Sequence, residues 1–155
     1  MPVAPTLARY LDQTVTYETL FHEPTMSSMH TAEACRISGD CLAKAVLLRY
    51  NGDYLLAVLP ASHQIDLLEL REAIGEDVNI ASESEIDELF ADCVHGAVPP
   101  VGDCYDVEVL IDASMDGQPD IYFEGGDHAT VVHVSQAQFA RLTAGARHDR
   151  FSSHS

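Results

Sequence analysis

Lys44 is the only lysine in the chain, and it stands inside an apolar run from Cys41 to Leu48. If that run is a strand, its period of two puts Lys44 on one face with Leu42, Val46 and Leu48. A charge on such a face is unfavourable unless it reaches water or a partner. One reading is an edge-strand lysine whose stem covers apolar surface while its ammonium reaches solvent. The other is a cationic donor on a pocket wall, its pKa lowered by burial and raised again by a bound anion. Two glycine segments have the chemistry of backbone cradles. Gly96-Ala97-Val98-Pro99-Pro100-Val101-Gly102 is either a stiff connector or a loop whose bare backbone approaches a ligand carbonyl or phosphate. Gly125-Gly126-Asp127-His128 is either a tight turn or bulge between strands, or a backbone platform with a histidine at its rim.

Of the eight histidines, His22, His30, His95 and His128 fall at loop or strand-end positions beside these features. His63 reads as a loop residue, His133 as mid-strand packing, and His148 and His154 as tail residues. No H-x-H or H-x-x-x-H spacing is present, and the cysteines at 35, 41, 93 and 104 form no C-x-x-C pair. No metal site and no cofactor are expected, and the thiols are expected to be free. A nucleophile elbow, G-x-S-x-G, and a phosphate loop, G-x-x-x-x-G-K, are both missing. No cysteine has an electropositive setting that would activate it.

The elements that must position these residues are legible from caps, turns and alternation. Residues 6–11 read as a first helix and residues 15–21 as a strand, ended by Pro24. Thr31 reads as the N-cap of a helix through Ile37, with Gly39 beyond it. Residues 41–50 and 54–59 are the clearest strands, joined by Asn51-Gly52, the strongest short hairpin signal. Asp66 with Glu69 opens a helix that stops at Gly75, and residues 78–80 form a short strand. Ser82 with Glu85, and Ser135 with Gln138, have the spacing of capping boxes; the second opens a helix to Leu142. Residues 91–103 are a shaped loop, and residues 107–111, 121–124 and 129–134 are strands. Residues 143–155 carry little apolar content and read as a disordered tail. The mixture, without strict βαβ alternation, indicates an α+β fold: a mixed, mostly antiparallel, barrel-like central sheet flanked by helices, in one domain over residues 1–142.

The chain has 155 residues, 46% of them hydrophobic, enough for one core. Lys and Arg total 8 against 25 Asp and Glu, a net charge of −17. That argues against nonspecific binding along DNA and against an anionic membrane surface, both of which need a basic face. A small site gripping one end of a nucleic acid is still compatible with it. No apolar run is long enough to span a membrane and the N-terminus lacks a signal-peptide pattern, so a cytoplasmic location is expected.

Three features fall in a recognisable order: a strand with Ala43-Lys44-Ala45-Val46-Leu47-Leu48, then Gly96-x-x-x-Pro100-x-Gly102, then a strand-end Gly125-Gly126. In this order the chain resembles the YbaK/ProX family, the prolyl-tRNA synthetase-associated editing domain, over about residues 6 to 142. The resemblance implies a trans-editing hydrolase that clears the ester of mischarged tRNA, with alanyl-tRNA for proline the first candidate. It implies Lys44 and His128 as catalytic residues. His22, His30, Gly96, Pro100, Gly102, Gly125 and Gly126 would bind substrate. His128 leans towards the alanine-clearing branch, whereas Pro99 departs from the small polar residue frequent in relatives. The partners implied are the acceptor end of an aminoacyl-tRNA and a prolyl-tRNA synthetase. Such chemistry needs no strong nucleophile, because the ester is already activated; it needs a placed water, oxyanion donors and a pocket that excludes the correct amino acid. Another reading is a non-catalytic module that uses the same pocket to hold an amino-acid-like ligand or to dock on a synthetase. A third is a hydrolase of some other small ester.

Overall fold

The computed structural model describes residues 3–23, 27–75, 77–94 and 97–155. His95 and Gly96 lie outside them, as does Pro24. The central feature is a hairpin of β2 (Leu42–Tyr50) and β3 (Asp53–Pro60), paired from Ala43 opposite Pro60 to Tyr50 opposite Asp53. Asn51 and Gly52 have φ of 51° and 80°, the left-handed pair that a two-residue turn of matching twist requires. Leu55 to Leu59 are all fully buried, because helices cover both faces of β3.

The sheet grows outward from this hairpin. β1 (Glu18–Phe21), β8 (Thr130–Ser135) and β7 (Asp120–Glu124) flank β2; β6 (Glu108–Asp112) and β9 (Arg147–Asp149) flank β3. β5 (Val78–Ile80) also pairs with β2. The β2–β7, β3–β6 and β6–β9 pairs are parallel and the rest antiparallel, as the mixed, mostly antiparallel α+β expectation requires.

On one face, α1 (Pro5–Thr14) and α5 (Gln136–Leu142) bury Leu7, Leu11, Phe139 and Leu142 against Ala43, Leu47, Leu56 and Val58. On the other, α3 (Leu67–Ile74) brings Leu70 and Ile74 to Leu48, Leu55, Ala57 and Leu59. Beside it, α2 (Ser28–Cys35) sets Ala32 on Leu42, Ala61 and Val131. α4 (Glu83–Leu89) follows β5. Both capping boxes form as their spacing predicts, and the Asp66 carboxylate caps α3 by accepting from the Leu68 and Glu69 N–H groups.

Two expectations are corrected. The N-cap of α2 is Ser27, whose Oγ accepts from the His30 N–H at 3.2 Å, so Thr31 lies one turn inside the helix. Residues 143–155 are not a disordered tail. β9 pairs with β6, and β10 (Ser152–His154) pairs with β4 (His63–Ile65), a strand the sequence reading missed. Phe151 between them is fully buried, and the Asp112 carboxylate accepts from the Phe151 and Ser152 N–H groups at 2.8 and 3.0 Å. One aromatic anchor and one buried carboxylate hold a segment whose average composition is polar.

Candidate active site

β2 and β7 run in parallel, with Leu42 opposite Tyr122 and Ala43 opposite Phe123. Leu42 and Tyr122 share the face covered by α2. Two residues on, just past the last paired residues, period-two alternation puts Lys44 and Glu124 on that same face of the sheet. Lys44 is half-buried. Its Nζ donates to the His63 carbonyl at 2.6 Å and to the Ala61 carbonyl at 3.4 Å. Burial lowers its pKa, and it makes no ion pair among the described residues. The snorkelling alternative does not describe it: the ammonium is held by the chain of the β3–β4 turn, not carried into water.

Glu124 is only 9% exposed. Its Oε1 accepts from Thr31 Oγ1 at 2.9 Å, a hydroxyl that also lies 3.2 Å from the Ser27 carbonyl. Its Oε2 is buried and has no hydrogen-bond partner among the described residues. Burial raises its pKa, opposed by the Thr31 hydrogen bond and then by the nearby His22 and His128. His22, just past β1, has its N–H on the Ala129 carbonyl and its Nδ1 2.7 Å from the Glu23 carbonyl. Nδ1 therefore donates there, and Nε2 is buried with no hydrogen-bond partner among the described residues. His128 sits in the β7–β8 turn with φ of 61°, a conformation few residues other than glycine adopt. Asp127 fixes that turn by accepting from the Ala129 and Thr130 N–H groups and the Thr130 hydroxyl.

His22 and His128 thus stand near Glu124 at the end of β7, with Lys44 on the same face of the sheet. The glycine pair beside them makes backbone contacts within the fold. The Gly125 carbonyl accepts from Ala4 N–H at 2.8 Å and the Gly126 carbonyl from Val94 N–H at 2.7 Å. A Cβ on Gly126 would stand 2.8 Å from the Ala4 side chain, and φ there is 105°. The pair is a junction that lets the N-terminal segment and the loop at 94 close onto the turn. Gly102 is likewise explained by packing, since a Cβ there would meet the Val107 carbonyl at 2.2 Å. Val101, Val107 and Val109 belong to the core on the α1/α5 face, so Gly102, with the buried Pro100 beside Val101, is not brought to Lys44. His30 is exposed on α2.

Glu124 and Thr31 are the site residues that sequence reasoning missed. Glu124 had one signal, a carboxylate closing the apolar strand Ile121-Tyr122-Phe123. Thr31 had none, because its role depends on the helix starting four residues earlier. Thiol chemistry has no support here: burial pushes Cys93 up to about 11 and Cys104 up to about 12. A separate concavity of about 550 Å³, lined by Asp53, Tyr54, Asp103, Asp106 and Arg147 among others, touches none of these residues.

The sequence pattern of the aminoacyl-tRNA editing domain matches residues 22–142. The chain belongs to that family. The editing domain is also 41% identical over 63 residues to the multifunctional Ser/Thr-tRNA deacylase ProXp-y of Escherichia coli (strain K12), and equally to its counterpart in Escherichia coli O157:H7. Each match spans 37% of this chain and 37% of the relative, so just over a third of the curated relatives' length is aligned. Two solved structures share its fold throughout. One is described as a candidate trans-editing enzyme for prolyl tRNA synthetase: TM-score 0.85, 19% identity, 99% of this chain and 98% of that one. The other is the hypothetical protein APE2540: TM-score 0.83, 20% identity, 96% and 99% coverage. The YbaK/ProX resemblance is thereby borne out for family and fold.

Proposed function

We propose that this editing domain hydrolyses the ester of mischarged aminoacyl-tRNA in trans, with Lys44 and Glu124 as the pair that reads the aminoacyl group. The observation that carries this is a buried carboxylate with one oxygen unpartnered among the described residues, on the same sheet face as an ammonium that makes no ion pair among them. The two ends of an aminoacyl ester have matching chemistry. The α-ammonium pairs with Glu124 Oε2, which draws that carboxylate back to its ionised form. The Lys44 ammonium stabilises the oxyanion that develops on the ester carbonyl. Water adds to the carbonyl carbon, the bond to the ribose oxygen breaks, and that oxygen leaves with a proton derived from the water. His22 Nε2 is an acceptor placed to orient the water, and His128 at the turn supports the ionised Glu124. The glycine junction acts indirectly, by fixing where His128 stands.

The amino acid is small, because α2 and its Thr31 contact close over Glu124. Alanine on tRNA for proline is the first candidate, following the family branch that carries the turn histidine. Serine and threonine are the second, favoured by the local 41% identity to a Ser/Thr-tRNA deacylase. The acceptor end of the tRNA is the expected nucleic-acid contact. The charge of −17 makes recruitment by a basic synthetase surface, that of prolyl-tRNA synthetase first, the expected route to substrate.

The test is release of labelled amino acid from alanyl-tRNA for proline, and from seryl- and threonyl-tRNA, by wild type and Lys44→Ala. Release by the wild type that falls roughly 100-fold or more in the variant is expected, the usual scale for losing one oxyanion donor. No release from any of the three, with or without the synthetase, would leave the pocket as a binding module and overturn the proposal.

A further inference from the structure

We propose that Asp40, His63 and His154 form a binding site for a divalent transition-metal ion, which pins the C-terminal strand to the wall of the Lys44 pocket. The three side chains come from separate places: the turn before β2, the start of β4 and the end of β10. One donor atom from each lies within 4.8 Å of the others. His154 Nε2 is 3.0 Å from Asp40 Oδ1, which also accepts from the Ser62 hydroxyl. The two imidazoles meet edge to face with centroids 4.4 Å apart. His63 is 7% exposed, and its Nδ1 is 2.8 Å from Ser152 Oγ. That bond has the form of the outer contact that orients a metal-ligating imidazole and leaves Nε2 for the ion. Bonds of about 2.0–2.2 Å set tetrahedral ligands about 3.3–3.6 Å apart; His154 and Asp40, at 3.0 Å, are already that near, and the wider separations, up to 4.8 Å, must shorten. The exposed His154, on a terminal strand, can close the difference by a side-chain adjustment.

Other histidine–carboxylate contacts in the molecule show what is particular here. His133 lies between Glu18 and Asp120, but the two acids sit on opposite ring nitrogens and cannot share an ion with it. His148 faces one acid, Asp116. Only at Asp40, among the described residues, do two imidazoles and a carboxylate bring donor atoms within 4.8 Å of one another. Two imidazoles with one carboxylate favour zinc, cobalt or nickel over magnesium or calcium, and leave a coordination position for water. The site is also wired to the pocket. The His63 carbonyl is the nearer acceptor of Lys44 Nζ, so an ion that fixes β4 and β10 fixes one of the supports of that ammonium. This inference does not depend on the reaction proposed above.

The experiment uses the untagged full chain. Zn²⁺ uptake is followed by calorimetry and by thermal melting, and Co²⁺ uptake by its visible absorption, with Mg²⁺ as the control for the acidic surface. We expect one saturable Zn²⁺ site and a higher melting temperature with Zn²⁺. The Co²⁺ spectrum should report four or five ligands. His154→Ala and Asp40→Asn should each weaken uptake about tenfold or more, while His148→Ala leaves it unchanged. Both altered residues are at least partly solvent-accessible, and the metal-free melting temperature reports whether the fold survives. Zn²⁺ bound no more tightly than Mg²⁺, or bound equally by wild type and the His154→Ala/Asp40→Asn double variant, would overturn the proposal.

Discussion

Asp112 closes β6 and Glu124 closes β7, and both carboxylates are buried, at 1% and 9% exposure. Their surroundings are opposite. Asp112 accepts from the Phe151 and Ser152 N–H groups and from the Ser114 N–H and hydroxyl. Burial alone would raise its pKa, but these donors hold it below the usual carboxylate range. Glu124 has one protein donor, Thr31, and an oxygen with none, and burial holds it above that range. A carboxylate with all its acceptor capacity answered is a structural lock. One left half-answered in a buried place is less stable than it need be, and that deficit is what a ligand cation can relieve.

The comparison breaks most sharply by substitution. Asp112→Ala strands the Phe151 and Ser152 N–H groups and releases the C-terminal segment; a loss of about 3 kcal/mol in urea unfolding is expected. Glu124→Gln should behave differently. Its unfolding midpoint should equal or exceed that of the wild type, while deacylation falls about tenfold, equivalent to about 1.4 kcal/mol in the barrier. If Glu124→Gln is destabilised as much as Asp112→Ala, the two sites are alike and Glu124 is structural.

Acid sharpens the contrast through the sign of linkage. The folded pKa of Asp112 is lowered, so its contribution is present above its unfolded pKa and lost as pH falls through the folded value. The folded pKa of Glu124 is raised, so its ionisation destabilises the fold as pH rises from the unfolded value through the folded one. Melting temperatures against pH should therefore show wild type below Glu124→Gln at neutral pH, with the gap closing on acidification. A gap that widens instead would contradict the raised pKa.

The smallest effect is that of salt. With a charge of −17, raising salt to about 1 M, where the screening length is about 3 Å, should raise the melting temperature of wild type and Glu124→Gln together. The difference between them should stay constant, because Glu124 is shielded from solvent. A salt-dependent difference would place Glu124 at the surface.

Much of the fold was legible because it is encoded locally. Asn51-Gly52, the two capping boxes, Asp66 as a cap and the apolar β2–β3 run are all decided within a few residues, and all form as expected. The misses share a cause. Thr31 looked like a cap because the competing Ser27 lay outside the apolar pattern. Residues 143–155 looked unstructured because their partners, Asp112 and β4, are far away in sequence. In the site, Lys44 was legible as a charge in an apolar strand, and His22 and His128 as polar residues at strand ends. Pro100 and Gly102 have the family's spacing, yet packing against the α1/α5 core accounts for them.

By itself the sequence determined where the strands turn and helices begin, that Lys44 must find company on an apolar face, and which family pattern the chain follows. Those properties depend on neighbours along the chain, through backbone dihedrals, caps and periodicity. Only the tertiary structure decided that Lys44 and Glu124 share one face of the sheet, because a parallel β2–β7 pairing joins residues some eighty positions apart. It alone decided that Asp40, His63 and His154 meet, since no local spacing encodes the docking of a C-terminal strand. Chemistry made by non-local pairing is invisible to local rules, and both sites of this molecule are made that way.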